Sequence, residues 1–230
     1  MAPSLSPEVI EDLRQYDSAT VANAIEHFNV RDPVTGYANN ELACRFPHLK
    51  PMVGYAVTVT GDTTTPGDTR TSRVDDLVEL VNAAPKPIVL VIKHIGYDRT
   101  RACYVGDMFC TILEKLGGVG LITDGNARDK TGIAQRTPNF QLFTAGWVVS
   151  HGYGAYVDLN VPVSICGMEI KPGDLLHGDE SGLVSVPLDI AGDVAKRAQA
   201  VRDAEAEYFE WLESDRFGME GLKRRIVPHE

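Results

Sequence analysis

The chain has 230 residues, 43% hydrophobic and 23% charged, and this balance predicts one globular domain over residues 1–230 with a substantial core. Its formal net charge of −10 argues against a nucleic-acid partner, because affinity for a phosphate backbone rests on clustered lysine and arginine side chains. No stretch approaches the roughly 18 apolar residues of a membrane span, so we expect no membrane partner and a cytoplasmic location.

The first part of the chain predicts two short helices and then a strand. Ser6 and Pro7 mark the start of the first helix, because proline at the first helical position lacks only an N–H that would be unbonded there. A second helix covers residues 20–28, and Pro, Gly and Asn make residues 30–51 an irregular connection. The alternation of apolar side chains over residues 53–60 indicates a strand.

The middle of the chain predicts a strand–helix–strand unit. A Thr-rich loop at residues 61–67 leads to a short helix at 75–83. The apolar run 88–92 is typical of a strand that is buried on both faces of a sheet. A further helix begins at Asp107, and a strand at 119–123 completes the unit with a right-handed crossover.

The spacing from Asp107 to Arg128 and Asp129 carries the most information about function. The helix from Asp107 runs about ten residues, or roughly 15 Å, and the strand at 119–123 returns roughly 17 Å. Because the two lengths nearly cancel, we expect these side chains to converge at the helix N-terminus, where backbone N–H groups favour anions. Two carboxylates and one guanidinium in one place suit a divalent metal together with a carboxylate substrate.

The C-terminal half predicts short strands and one long helix. The strands fall near residues 141–144, 156–163 and 183–186, and a tight polar turn occupies 178–182. The final segment, about residues 190–215, combines long helical periodicity with many charges. We therefore expect this helix to extend past the core and reach a neighbouring subunit.

These motifs make the chain resemble the class II pyruvate aldolases of the 4-hydroxy-4-methyl-2-oxoglutarate aldolase family. The same superfamily includes the regulator of ribonuclease E activity A. The resemblance rests on the spacing from Asp107 to Arg128-Asp129 and also on the blocks 16–20, 53–59, 171–174 and 178–182. It implies an α/β fold, a layered α/β/β/α sandwich of the swivelling phosphohistidine-domain type, assembled as a homotrimer or homohexamer with active sites between subunits.

The resemblance also implies a role for each residue of the central motif. Asp129 would coordinate Mg2+ or Mn2+, Asp107 would hold a metal-bound water, and Arg128 would clamp a small 2-keto acid. Without a Schiff-base lysine, such a metal acts as a Lewis acid on the enolate charge that forms when a carbon–carbon bond breaks beside the keto group. The same enolate forms when oxaloacetate loses CO2, so oxaloacetate decarboxylase activity is expected as well.

Further residues of the site follow from the same resemblance. Gly106 and the backbone N–H of Met108 would help to hold the substrate carboxylate. A carboxylate from the C-terminal helix of a neighbouring subunit completes the site in the aldolases. Among the three acidic residues of segment 202–207, Glu205 is the residue that we choose for this role.

Several of these residues also have structural interpretations. Asp107 alone could cap its helix, and an isolated Arg128-Asp129 pair is usually a surface ion pair. Lys93 could form a Schiff base, although a lone strand-end lysine is a weak signal, and His94 could line a substrate pocket.

The segment 94–103 departs from the family that the chain resembles. It contains Tyr97, Arg99 and Arg101 and is longer and more basic than the resemblance leads us to expect. The identity of the distal part of the substrate therefore stays open, and this segment could suit another 2-keto acid.

Two functions are compatible with the sequence. The first is a metal-dependent lyase that releases pyruvate from a substrate like 4-hydroxy-4-methyl-2-oxoglutarate. The second is a non-catalytic regulator that binds and inhibits a ribonuclease or another protein partner. Asp107 favours the lyase, because several regulator-type members of the superfamily lack this residue, whereas the acidic surface favours the regulator slightly.

Overall fold

The structure is a computed structural model that describes residues 5–66 and 72–226. The helices are α1 (Pro7–Leu13), α2 (Ser18–Glu26), α3 (Val74–Ala83), α4 (Asp107–Lys115), α5 (Lys130–Arg136), α6 (Ala191–Leu212) and α7 (Met219–Ile226). The strands are β1 (Ala43–Cys44), β2 (Met52–Asp62), β3 (Ile88–His94), β4 (Cys103–Val105), β5 (Gly118–Thr123), β6 (Asn126–Ala127), β7 (Gln141–Thr144), β8 (Gly146–Trp147), β9 (Ala155–Leu159), β10 (Val163–Ile165), β11 (Met168–Ile170), β12 (Leu175–Asp179) and β13 (Gly182–Val186). Gly67, the last residue of the predicted 61–67 loop, lies outside the described residues.

One mixed sheet organises the molecule. Its strand order is β1-β7-β5-β3-β2-β12-β13, and β9 also pairs with β2. The pairs β2–β3, β3–β5 and β5–β7 are parallel, and the outer pairs are antiparallel. All residues of β2 and nearly all of β3 are buried, which is the expected result for central strands covered on both faces.

Helices and a small hairpin cover the two faces of the sheet. Ile88, Leu90 and Ile92 belong to a cluster that contains apolar residues of α3 and α4. The intervening Val89 and Val91 pack instead with the hairpin formed by β10 and β11. A third cluster joins α1, α2 and α6 to the β12 and β13 side of the sheet. The run 88–92 therefore became a central strand because both of its faces are apolar.

The fold is mixed α/β, as predicted. The more detailed assignment, a layered α/β/β/α sandwich of the swivelling type, stays a prediction. Within the described residues, no helix is both long and apolar enough to cross a membrane.

Two predicted segments of the C-terminal half are wrong in extent. The single strand predicted at 156–163 is divided between β9 and β10, because Asn160 has a φ of 58° and Pro162 has no N–H for a ladder bond. The turn predicted at 178–182 is shorter than expected, since β12 continues to Asp179 and β13 begins at Gly182. Patterning could not separate β9 from β10, because apolar residues recur at every second position through residues 157–163.

A buried histidine fastens the N-terminal helices to the sheet. His177 on β12 contacts the Ser18 hydroxyl through Nδ1 at 3.0 Å and the carbonyls of Leu13 and Tyr16 through Nε2 at 3.1 Å each. Carbonyls only accept, so Nε2 carries the proton and Nδ1 accepts from Ser18. Burial lowers the pKa of His177 despite these carbonyls, and the neutral imidazole is the form that the fold holds.

We expect the free energy of unfolding to decrease as the pH falls from 7 to 5. The unfolded chain protonates His177 near its ordinary pKa of 6.5, whereas the folded chain does so only at lower pH. The unfolded state therefore binds more protons below 6.5, and stability is lost there by up to about 1.4 kcal/mol per pH unit. His94, whose pKa burial also lowers, adds a change of the same sign.

Urea unfolding at several pH values measures this dependence. His177→Gln removes one titrating group and should flatten the slope between pH 7 and 5, although its stability at pH 7 will be lower. An unchanged slope in the variant would mean that His177 is not responsible.

Candidate functional site

A short parallel ladder brings the two ends of the central motif together. Val105 of β4 pairs with Ala127 of β6, and the Arg128 N–H donates to the Val105 carbonyl at 2.9 Å. The residues that follow each strand, Gly106-Asp107 and Arg128-Asp129, therefore lie beside each other. The nearly equal lengths of the helix and the following strand predicted this convergence, but the strands that produce it were not predicted.

Asp107, Arg128 and Asp129 line one cavity of about 300 Å³. This volume lies at the lower end of the range that is usual for ligand pockets. The other lining residues are Thr63, Val74, residues 103–106, Met108, Phe109, His151 and residues 154–156.

Asp129 is held close to the backbone of Gly106. A Cβ atom at Gly106 would lie only 2.4 Å from Asp129 Oδ2, much closer than van der Waals contact allows, so this approach depends on the missing side chain of glycine. Asp129 has a left-handed φ of 58° at the start of α5, a conformation that Asp and Asn tolerate better than most residues. Its Oδ2 is 3.3 Å from Arg128 Nε, and both side chains are more than one-third exposed.

Asp107 stands at the first position of α4 and turns towards α5. Its Oδ1 accepts from the Met108 N–H at 2.8 Å, and its Oδ2 pairs with Arg136 Nε at 3.1 Å. The same Oδ2 lies close to Gly132, where a Cβ would come within 2.7 Å. The Met108 N–H, which the resemblance assigns to a substrate carboxylate, is therefore already bonded to Asp107.

The donor set fits a hard divalent cation. Mg2+ prefers oxygen ligands and retains several waters, so two carboxylates on a cavity wall are sufficient. Within residues 5–66 and 72–226, no group of three or more His, Cys, Asp and Glu side chains converges on a metal position. Asp129 and Asp107 are the residues that could hold such an ion.

Among the described residues, no lysine lines this cavity. Lys93 is bound to the buried carboxylate of Asp124 at 2.6 Å, and that carboxylate also accepts from the His94 N–H at 2.8 Å. Lys93 is absent from the cavity lining, so the structure gives it a role at the end of β3.

Within the described part of the chain, the basic residues of segment 94–103 do not line this cavity, and their suitability for another 2-keto acid stays a prediction. Arg99 pairs with Glu41 at 3.0 Å and Arg101 lies 3.7 Å from Asp98, and neither lines the cavity. His94 is also absent from the lining, because it is buried and its Nδ1 contacts the Tyr104 hydroxyl. The partner of Arg99 comes from a distant segment, whereas Asp98 and Tyr104 lie in or next to segment 94–103.

Glu205 lies on the exposed surface of α6 and does not line the cavity. Its assignment depends on a neighbouring subunit and stays a prediction.

The apolar part of the cavity was not predicted. Phe109 of α4 and Tyr156 of β9 are stacked with ring centroids 5.9 Å apart and an interplanar angle of 26°. Burial raises the pKa of Tyr156, so its phenol stays neutral. Tyr156 reaches the site because β9 pairs with the end of β2, opposite Gly61, and only this long-range pairing identifies it.

Comparisons with known proteins identify related sequences and structures. A family model for RraA-like proteins, described as Aldolase/RraA, matches residues 18–185. A protein of Halalkalibacterium halodurans, named provisionally as a 4-hydroxy-4-methyl-2-oxoglutarate aldolase, is 34% identical over 112 residues. That match covers 48% of this chain and 51% of the relative, so the chain spans about half the length of this curated relative.

Two solved structures share the overall fold. An uncharacterized protein from Pseudomonas syringae pv. tomato superposes with a TM-score of 0.73 at 25% identity, covering 98% of this chain and 96% of that one. Streptomyces coelicolor RraAS2, described as an unusual member of the RNase ES inhibitor RraA protein family, superposes with a TM-score of 0.67 at 23% identity. The second superposition covers 92% of this chain and all of the other, and it supports the mixed α/β fold.

Proposed function

The chain belongs to the RraA-like family described as Aldolase/RraA, and from that premise we propose that it is a divalent-metal-dependent lyase releasing pyruvate from a 4-hydroxy-2-keto acid. Family membership includes both aldolases and regulators, so the site residues carry the proposal. The supporting observation is that Asp107, Arg128 and Asp129 line a single cavity beside the first turn of α4.

Asp129 and Asp107 would hold Mg2+ or Mn2+ in this proposal. When bound, the ion would act as a Lewis acid towards the keto oxygen and the charge that develops there. Gly106 has no side chain, and the Asp129 carboxylate can therefore lie against the backbone at the N-terminus of α4.

Arg128 is suited to hold the carboxylate of the 2-keto acid. Its guanidinium is partly exposed, and its ion pair with Asp129 is long at 3.3 Å. The guanidinium can therefore turn to present two parallel N–H groups to a substrate carboxylate. The first N–H groups of α4 add a favourable field for the same negative charge.

Asp107 is suited to move a proton through a water molecule. In aldol cleavage the C4 hydroxyl must lose its proton as the C3–C4 bond breaks, and a carboxylate at water-bridging distance can accept it. Arg136 fixes the orientation of the Asp107 carboxylate from the side of α5. Loss of CO2 from oxaloacetate requires the same enolate stabilisation without this proton transfer, so oxaloacetate decarboxylation belongs to the proposal.

The proposal includes an assembly of three or six copies, in which Glu205 of α6 completes a neighbouring site. Apolar side chains near the end of α6 support a subunit contact there, since Phe209 is 59% exposed, Phe217 48% and Met219 64%.

A regulator that binds a ribonuclease or another protein is the second candidate. The likeness to RraAS2 and the formal charge of −10 favour it, because an acidic surface can occupy a basic binding site. The carboxylate of Asp107 on the cavity wall favours the lyase.

The test measures pyruvate release from oxaloacetate and from 4-hydroxy-4-methyl-2-oxoglutarate, with Mg2+ or Mn2+ and with EDTA. Deuterium exchange of the pyruvate methyl group is measured in parallel, because it requires only enolate formation. We expect metal-dependent activity that Arg128→Ala lowers by at least about 100-fold. The matched control is Arg197→Ala, an exposed arginine of α6. If the protein catalysed neither methyl exchange nor pyruvate release and captured a ribonuclease, the lyase proposal would be rejected in favour of the regulator.

A further inference from the structure

We infer that the cavity accepts a 4-hydroxy-2-keto acid whose C4 atom carries an uncharged apolar group in place of a second carboxylate. This inference rests on the proposed function and names the substrate class of the same site. It follows from the chemistry of the cavity wall that lies outside the central motif.

The cavity lining divides into a charged part and an apolar part. The charged groups come from the segments that follow β4 and β6. The remaining wall includes Val74 at the start of α3, Phe109 on α4, and Ala155 and Tyr156 on β9. A substrate whose keto acid is held by Arg128 would place its distal group against this second wall.

The aromatic pair presents ring surfaces to the cavity. The Tyr156 hydroxyl donates to the Tyr104 carbonyl at 3.4 Å, so its polar atom is directed to the protein backbone. Phe109 stacks on the same ring. A carboxylate placed against this wall would lose its hydration without gaining hydrogen bonds, which costs several kcal/mol, whereas an apolar group gains by leaving water.

Few basic groups of the described chain face the cavity. Arg128 and His151 are the basic residues of the lining in residues 5–66 and 72–226. Arg128 serves the keto-acid carboxylate in the proposed mechanism, and the nearby Arg136 is paired with Asp107. Among the basic groups that this chain contributes to its own cavity, a second carboxylate would depend on His151, an exposed residue of the 148–154 connection.

The cavity has room for such a distal group. Its volume of about 300 Å³ corresponds to about ten water molecules at roughly 30 Å³ each. Pyruvate would fill only part of this space, and Phe109 and Tyr156 line the same cavity.

The reaction requires no further reagent. The C3–C4 bond breaks, and its electron pair remains on the three-carbon fragment as the enolate of pyruvate. The C4 hydroxyl gives its proton to the water beside Asp107, so C4 leaves as the carbonyl of an aldehyde. The enolate takes one proton at C3 to become pyruvate, and the two products together contain all atoms of the substrate.

The experiment compares kcat/KM for 4-hydroxy-2-oxo-4-phenylbutanoate with that for 4-hydroxy-4-methyl-2-oxoglutarate. We expect the unaltered protein to prefer the phenyl compound by at least about tenfold. Val74→Arg places a cation on the apolar wall and should shift the ratio towards the diacid by a similar factor. Val34→Arg is the matched control, because Val34 is 73% exposed and does not line the cavity.

The outcomes separate this inference from the proposed function. Pyruvate methyl exchange with a preference for the diacid would overturn the inference alone, and loss of that preference in His151→Gln would assign the second carboxylate to His151. Absence of methyl exchange would overturn the proposed function itself. The preference of the unaltered protein decides the inference even if Val74→Arg fails to fold.

Discussion

Replacement of Asp129 by asparagine is expected to lower kcat/KM for pyruvate release by at least about 100-fold, because the charged oxygen that would bind the cation is lost. Asparagine has nearly the same size as aspartate and tolerates the left-handed φ of 58° at this position. The lost ion pair with Arg128 is partly exposed and contributes at most about 1 kcal/mol to stability. Activity should therefore decrease far more than the free energy of unfolding.

The measurement pairs kinetics over a range of Mg2+ and Mn2+ concentrations with urea unfolding. Asp193→Asn is the control, since Asp193 is a largely exposed aspartate of α6 that pairs with Lys196 away from the cavity. If Asp129→Asn retained full activity at limiting metal concentration, Asp129 would not be a metal ligand.

Replacement of Gly106 by alanine is expected to lower activity by roughly 100-fold with little effect on folding. The backbone at Gly106 has a φ of −133° and a ψ of −174°, an extended conformation that alanine adopts without strain. The new Cβ would be 2.4 Å from Asp129 Oδ2, so the carboxylate must move away. A displacement of about 1 Å in a catalytic group can lower the rate 100-fold, so we expect the substitution to reduce activity rather than stability.

The Gly106→Ala experiment has a readout that a general folding defect would not produce. The metal concentration for half-maximal activity should rise, while the urea midpoint changes little. Gly192→Ala is the matched control, because its Cβ would have no neighbour within 4 Å and its position near the start of α6 favours alanine. Equal metal dependence in Gly106→Ala and the unaltered protein would contradict the close approach of Asp129.

The regular elements near the core could be predicted from local pattern. The apolar run 88–92 became β3, and the periodic segment after Ile190 became α6, starting at Ala191. The distance argument between Asp107 and Arg128 also predicted the right neighbours, because helix rise and strand rise are nearly constant. Each of these features depends on a stretch of about twenty consecutive residues, over which the rise per residue of helices and strands fixes the geometry.

Very short strands could not be predicted, although they build the cavity. β4 and β6 contain three and two residues, too few for any periodic pattern, and their ladder is what sets Gly106 beside Asp129. The partners of Asp107 and Arg99 were also missed, since Arg136 and Glu41 are 29 and 58 residues away from them in the sequence.

The sequence by itself determined the α/β class, the central buried strand and the identity of the charged motif, because burial pattern and chain length act locally. The tertiary structure alone decided which other side chains share the cavity with this motif. It placed Tyr156 opposite Gly61 through β9 and stacked Phe109 on that ring, while Arg101 remained outside the lining. The physical reason is that side-chain contacts depend on strand register and packing between distant segments, which residue spacing does not specify.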